Sequence, residues 1–135
     1  MSDIQAKLRE LIIDDSGLTA ELIARAKRFI RLTRDGKVVF MVPLDMLPIW
    51  ARVLLYVTGK RLAKEAGLIT NESGVVTIEE ISTAVGADYF KVRQILSDFV
   101  DQNLVVSVER DGYIVNLAML HEIIKLVENR KRSPV

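Results

Sequence analysis

The chain has 135 residues, half of them hydrophobic, with 19 Lys and Arg against 18 Asp and Glu and a formal net charge of +1. That length suits one compact domain or a small domain with an added subdomain, and the composition is the reverse of a disordered chain's. The absence of cysteine excludes disulfides, thiolate metal sites and a cysteine nucleophile, and a near-neutral total leaves any pull on nucleic acid to the distribution of charge.

A cysteine-free chain also fits a cytoplasmic, heat-adapted protein. No basic-then-apolar leader pattern opens the sequence, since Asp3 and Gln5 stand where an apolar run would begin. The longest apolar stretch, residues 38–56, is broken by Pro43, Asp45, Pro48 and Arg52, so no membrane span is expected.

In chain order, Ile4, Leu8, Leu11 and Ile12 recur at helical spacing and predict a first helix ending near Asp14. Leu18, Leu22, Ile23, Ala26, Phe29 and Ile30 predict a second, giving way to strand near Phe29. Residues 30–33 and 37–42 then flank Arg34-Asp35-Gly36, and Asp-Gly between β-branched runs is a strong hairpin signal. Pro43 ends the hairpin. A long helix is expected over residues 46–66, capped by Asp45, with Pro48 in its first turn and Trp50, Val53, Leu54, Val57 and Leu62 as its buried stripe. Gly67 is its stop, and residues 71–74 form a loop.

Residues 75–77 can make a short strand. Thr77 with Glu80 is a capping-box pair opening a helix over residues 78–85. Gly86 fits a tight turn, and Asp88 caps the next helix, whose inward stripe is Val92, Ile95, Leu96, Phe99 and Val100. Asn103 ends it. Residues 104–110 and 113–117 flank Asp111-Gly112, a second hairpin.

Residues 46–129, about two thirds of the chain, resemble the winged helix-turn-helix domains of archaeal and bacterial transcription regulators. The likeness lies in the long helix, TIEEISTAVG, the turn, DYFKVRQILSDFVDQNLV and the following hairpin, which would be the wing. The run YVTGKRLAKEAGL, residues 56–68, is similar to small archaeal winged-helix proteins. The expected fold is thus mainly α with small β-hairpins (α+β): a helical and hairpin appendage over residues 1–43, and a winged helix-turn-helix domain with a C-terminal helix over residues 44–135.

The resemblance implies that the helix over residues 88–102 enters the major groove of double-stranded DNA. Its outward residues are Tyr89, Phe90, Lys91, Arg93, Gln94 and Ser97, with Arg93 suited to guanine, Gln94 to adenine and Lys91 to phosphate. Arg110 at the wing tip would reach phosphate or the minor groove. Tyr89 and Phe90 are adjacent, so one of them points outward. Charge runs against an easy reading: residues 77–103 hold only Lys91 and Arg93 against Glu79, Glu80, Asp88, Asp98 and Asp101, net −3.

Positive charge gathers elsewhere. Arg25, Lys27, Arg28, Arg31, Arg34 and Lys37 against Asp35 give +5; Arg52, Lys60, Arg61 and Lys64 against Glu65 give +3; Lys125, Arg130, Lys131 and Arg132 against Glu128 give +3. These are either one phosphate-binding surface or solvated faces paired with Asp3, Glu10, Asp14, Asp15 and Glu21.

No catalytic constellation, metal site, cofactor motif or small-molecule site is evident. His121 is the single histidine, and Gly59-Lys60 lies inside a helix without a phosphate-loop frame. Trp50 and Tyr56 read as core. Leu120, Ile123, Ile124 and Val127 line the last helix, expected over residues 118–129, and would pack on their own domain or make a homodimer. The expectation is a non-enzymatic DNA-binding regulator. The rivals are a winged-helix protein-interaction module in a larger assembly and an RNA-binding protein using residues 25–37.

Overall fold

The computed structural model describes residue 4 and residues 19–69, 74–109 and 112–130. The expected first helix (Ile4 apart), Asp111 and the basic residues Arg110, Lys131 and Arg132 lie outside the described residues. What is described is an α+β arrangement: α1 (Ala20–Ala26), β1 (Ile30–Leu32), β2 (Val38–Phe40), α2 (Ile49–Glu65), β3 (Val76–Thr77), α3 (Ile78–Val85), α4 (Tyr89–Asp101), β4 (Val105–Val108), β5 (Gly112–Val115) and α5 (Leu120–Glu128).

The first helix in this series is shorter than its apolar pattern. Thr19 caps α1 by accepting from Leu22 N–H, and α1 stops at Ala26, so Phe29 and Ile30 belong to the turn and strand that follow. Leu22 and Ala26 face inward, whereas Ile23, expected on the same stripe, is 40% exposed. β1 and β2 pair antiparallel with Arg31 opposite Val39. Gly36 N–H donates to Thr33 O and Thr33 N–H to Lys37 O, closing the turn that Asp35-Gly36 announced.

Helix α2 begins later than expected. Pro43 and Pro48 bracket a short 3-10 turn at Leu44–Met46, and Pro48 is the capping residue of α2, not part of its first turn. The physical cause is the restriction that a proline places on the residue before it: Leu47 is extended, at φ −115° and ψ 132°. Asp45 therefore caps nothing in α2. Nor is α2 amphipathic with one stripe. Ala51, Val53 through Gly59 and Ala63 are all buried, while Trp50 and Leu62 are half-buried. Elements cover it from several sides: α3, α4, β5, and the β1–β2 hairpin. Thr58, the buried polar side chain at its centre, donates its hydroxyl to Leu54 O at 2.7 Å, which satisfies the buried O–H.

The second sheet has strand order β3-β5-β4, all antiparallel. Gly112 was expected in the turn of this hairpin. It lies instead in β5, paired with both Thr77 and Val108. A Cβ there would stand 2.6 Å from Val108 O and 2.8 Å from Val75 Cγ1, so strand crowding, not turn geometry, excludes a side chain. The strands are shorter than their sequence patterns: β3 ends where α3 begins, β4 starts only after the C-terminal stop of α4, and β5 ends before the 3-10 turn at Leu117–Met119.

The main core joins Phe29 and Ile30 with α2, α3, α4, β5 and α5, and a second, smaller cluster packs Leu22 and Ala26 of α1 on Leu120 and Ile124 of α5. Residues 19–43 are therefore packed against the rest.

The tightest approach is at Gly59. A Cβ there would sit 2.7 Å from Val38 Cγ2, 3.0 Å from Val38 Cγ1 and 3.3 Å from Ile30 Cδ1. Both Val38 methyls hang on a stiff branched carbon. Gly59→Ala gains about 1 kcal/mol of helix propensity but meets an overpacking cost of about 1–3 kcal/mol, so net destabilisation is expected. Val38→Ala made together with Gly59→Ala should remove the clash and reverse the sign of the Gly59 effect. Urea midpoints of the four proteins measure this, and additive single effects would contradict it.

Candidate nucleic-acid interface

The geometry of α3 and α4 follows from a few local bonds. Thr77 Oγ1 accepts from Glu80 N–H at 3.1 Å and starts α3. Gly86 ends it at φ +67°, a left-handed conformation costly for a side chain. The Ser82 hydroxyl donates to Ala87 O across the turn. Asp88 Oδ2 then accepts from Phe90 N–H at 3.0 Å and Lys91 N–H at 3.2 Å, which starts α4 and sets its carboxylate against the helix's positive end. At the far end Asn103 is left-handed, at φ 63°. Leu104 N–H donates to Phe99 O and Asn103 N–H to Val100 O, a Schellman stop.

Val92, Ile95, Leu96 and Phe99 bury one face of α4, and Val100 is half-buried. The opposite face carries Phe90, Lys91, Arg93, Gln94 and Ser97, all exposed. Of the adjacent aromatic pair, Tyr89 turns to the core and Phe90 stands out, 70% exposed, edge-on to Tyr89 with ring centroids 5.3 Å apart. Gln94 Nε2 donates to Asp98 Oδ1 at 3.2 Å, an exposed bond weak enough to exchange for a base edge. Arg110 lies outside the described residues.

The carboxylates that make this region negative are not equivalent. Asp88 is occupied as a cap. Glu80 was expected to bond back to Thr77 in a capping box, yet its side chain goes elsewhere: Glu80 Oε2 accepts from the Tyr56 hydroxyl at 2.7 Å and lies 3.7 Å from Lys60 Nζ. Lys60 Nζ is also 5.8 Å from the Tyr56 ring centroid. Asp98 and Asp101 sit toward the C-terminal half of α4, away from the turn.

Arg52 has a role that charge counting missed. Its Nε donates to Leu47 O at 3.0 Å and its Nη1 to Val85 O at 3.3 Å, so the guanidinium closes the C-terminal end of α3 and the start of α2 together. Arg52, Tyr56 and Lys60 stand at i, i+4 and i+8 on α2, one at the last residue of α3 and two at its first turn. A polar stripe of this period inside an apolar helix is the signal that could have revealed it.

The basic residues expected to share a phosphate-binding face divide into two sets. Arg25, Lys60 and Arg61 have partners within the chain. Arg61 Nε lies 3.9 Å from Glu65, a weak pair. Arg31 Nε donates to its neighbour Lys27 O at 3.3 Å, and Lys37 is 3.7 Å from Asp35 in an exposed pair worth little against solvent. Lys27, Arg28, Arg34, Lys37, Lys91 and Arg93 remain exposed to solvent, and Lys64 is half-buried. Arg130 stacks over the Phe29 ring at 5.2 Å and donates to Val127 O. Leu120, Ile123, Ile124 and Val127, the expected dimer stripe, are fully buried against α1 and the main core, leaving half-exposed Leu126 as the apolar residue open on α5. Among the described residues no three His, Asp or Glu side chains gather as a metal would need, and no helix is long and apolar enough to cross a membrane.

No protein-family model, curated protein or solved structure matches the chain.

Arg25 forks onto Glu128, with Nε to Oε2 at 3.0 Å and Nη2 to Oε1 at 2.5 Å, tying α1 to α5. Those hydrogen bonds hold the Glu128 carboxyl below its ordinary 4.5, overcoming the opposing push of burial, and raise the guanidinium pKa. A carboxyl lowered by folding stabilises the fold above pH 4.5, and that contribution is lost as pH falls through the lowered value. In Arg25→Gln the Glu128 midpoint, followed by carboxyl-carbon NMR, should move up toward 4.5. An unmoved midpoint would show that Arg25 does not set it.

Proposed function

We propose that residues 49–130 form a winged helix-turn-helix that binds double-stranded DNA, with α4 as the recognition helix, and that the protein acts as a transcription regulator in the cytoplasm. The observation that carries this reading is the uncommitted outer face of α4. Phe90, Lys91, Arg93, Gln94 and Ser97 project just after the Gly86 turn, on a helix whose other face is locked in the core. The order helix, strand, helix, turn, helix, hairpin, with β5 between β3 and β4, supports it.

In this reading Arg93 reads a guanine edge, Gln94 an adenine edge once released from Asp98, and Lys91 a phosphate. Arg110, between β4 and β5 in the sequence, would add the wing contact that the resemblance implies. Lys27, Arg28 and Arg34 add attraction. A homodimer would set two α4 helices one DNA turn apart, and it would use a surface other than the buried stripe of α5.

A second reading, a protein-interaction module, is favoured by one observation: the exposed Phe90 ring stands beside a surface with two cations against five carboxylates. Duplex binding measured against salt separates them. The DNA reader should bind at low salt with a log–log slope of about −3.6 to −4.5, the release expected for four to five phosphate contacts. Arg93→Ala should reduce discrimination at one base pair by about 1–3 kcal/mol with little change in slope. Absence of duplex binding at low salt would remove the DNA reading in favour of the protein module.

A further inference from the structure

Phe90 is the most exposed large apolar side chain among the described residues, 70% open to solvent, and it belongs to neither core cluster. It is the second residue of α4, and its N–H is fixed by the Asp88 cap. Tyr89, packed against the core, meets it edge-on with the rings 79° apart, so a partly buried ring steadies an exposed one. Arg93 and Gln94, three and four residues on, are its neighbours on the helix surface, and both are exposed.

We propose that Phe90 reads thymine: its ring packs on the C5-methyl group of a thymine in the major groove, one or two base pairs from the adenine that Gln94 reads. The inference rests on α4 being the recognition helix and gives that helix a base preference. In the major groove thymine alone presents an apolar group, and an apolar side chain is its complement. Cytosine's amino group calls for a carboxylate, and Asp88, the carboxylate nearest to Phe90 in the chain, is held as the helix cap.

Spacing sets the offset. Phe90 and Gln94 stand one turn apart, about 6 Å along α4, and base pairs repeat about every 3.4 Å. Charge favours the same contact. Residues 77–103 hold two cations against five carboxylates, so phosphate attraction is weak along this face. A methyl contact needs no cation and loses nothing in that field. Specificity at this position is therefore apolar, and it does not depend on the ions that Lys91 displaces.

The test uses the full chain and a short duplex that it selects from a random-sequence pool. Each thymine is replaced in turn by deoxyuridine, which removes the methyl and keeps the base pair. One thymine for each bound α4 should cost the unaltered protein about fourfold in affinity, the loss expected for one methyl taken out of an apolar contact, and the others should cost little. That ratio should be the same at low and moderate salt, because the contact releases no counterion. Phe90→Ala, which removes an exposed ring and leaves the core intact, should bind the two duplexes alike, and Phe90→Leu should keep part of the ratio. Duplex binding in which every thymine is replaceable without cost would overturn the proposal and leave the DNA reading standing. So would a cost that survives Phe90→Ala. Absence of duplex binding at low salt would overturn both and leave Phe90 as a contact for a protein.

Discussion

Helix α2 is the constraint on which the other elements depend. It is buried around most of its circumference, so every neighbour must fit its surface, and that surface differs from side to side. On the hairpin side it presents Gly59, and β1 and β2 come close enough for Val38 and Ile30 to occupy the space of the missing Cβ. On the side of α3 it presents Arg52, Tyr56 and Lys60. Burial of the apolar side chains of α2 stabilises the fold by about 25 cal/mol per Å² removed from water. The polar stripe decides orientation, since a guanidinium accepts only the carbonyl positions its planar fork can reach.

This division of labour bears on function. The buried apolar faces fix where α3 and α4 lie. The bonds from Arg52 to Val85 O and from Tyr56 to Glu80 grip α3 at both ends, and α3 is joined to α4 by three residues whose geometry Gly86 and Asp88 set. The outer face of α4 is thus presented by a rigid mount, the condition a reader of base edges or of a protein surface requires. The same bonds remove cations from the count: Arg52, Lys60 and Arg25 work within the fold and are committed to partners there.

Local signals were legible in the sequence, and shared burial was not. Thr77, Gly86, Asp88 and Asn103 each act through their own backbone within four residues, so their roles could be read before any tertiary contact was known. Both Asp-Gly pairs located hairpins, although Gly112 serves strand crowding. The length of α1, the all-round burial of α2 and the inward stripe of α5 depend on partners distant in the chain. The apolar period of α5 is the same whether it covers α1 or a second molecule; only the positions of Leu22 and Ala26 decide between them. Arg52 was legible only as one position of the i, i+4, i+8 polar stripe it shares with Tyr56 and Lys60; the carbonyls it meets, Leu47 O and Val85 O, depend on partners distant in the chain.

The central claim is that the mount formed by α2 and α3 holds the N-terminal half of α4 outward as the contact surface for duplex DNA. Backbone and methyl NMR during titration with a short duplex at low salt tests it most directly. Shifts are expected to concentrate at Phe90, Lys91, Arg93 and Gln94 and along β4–β5, with smaller ones near Lys27, Arg28 and Arg34. Shifts confined to residues 25–37, or none at all, would contradict it.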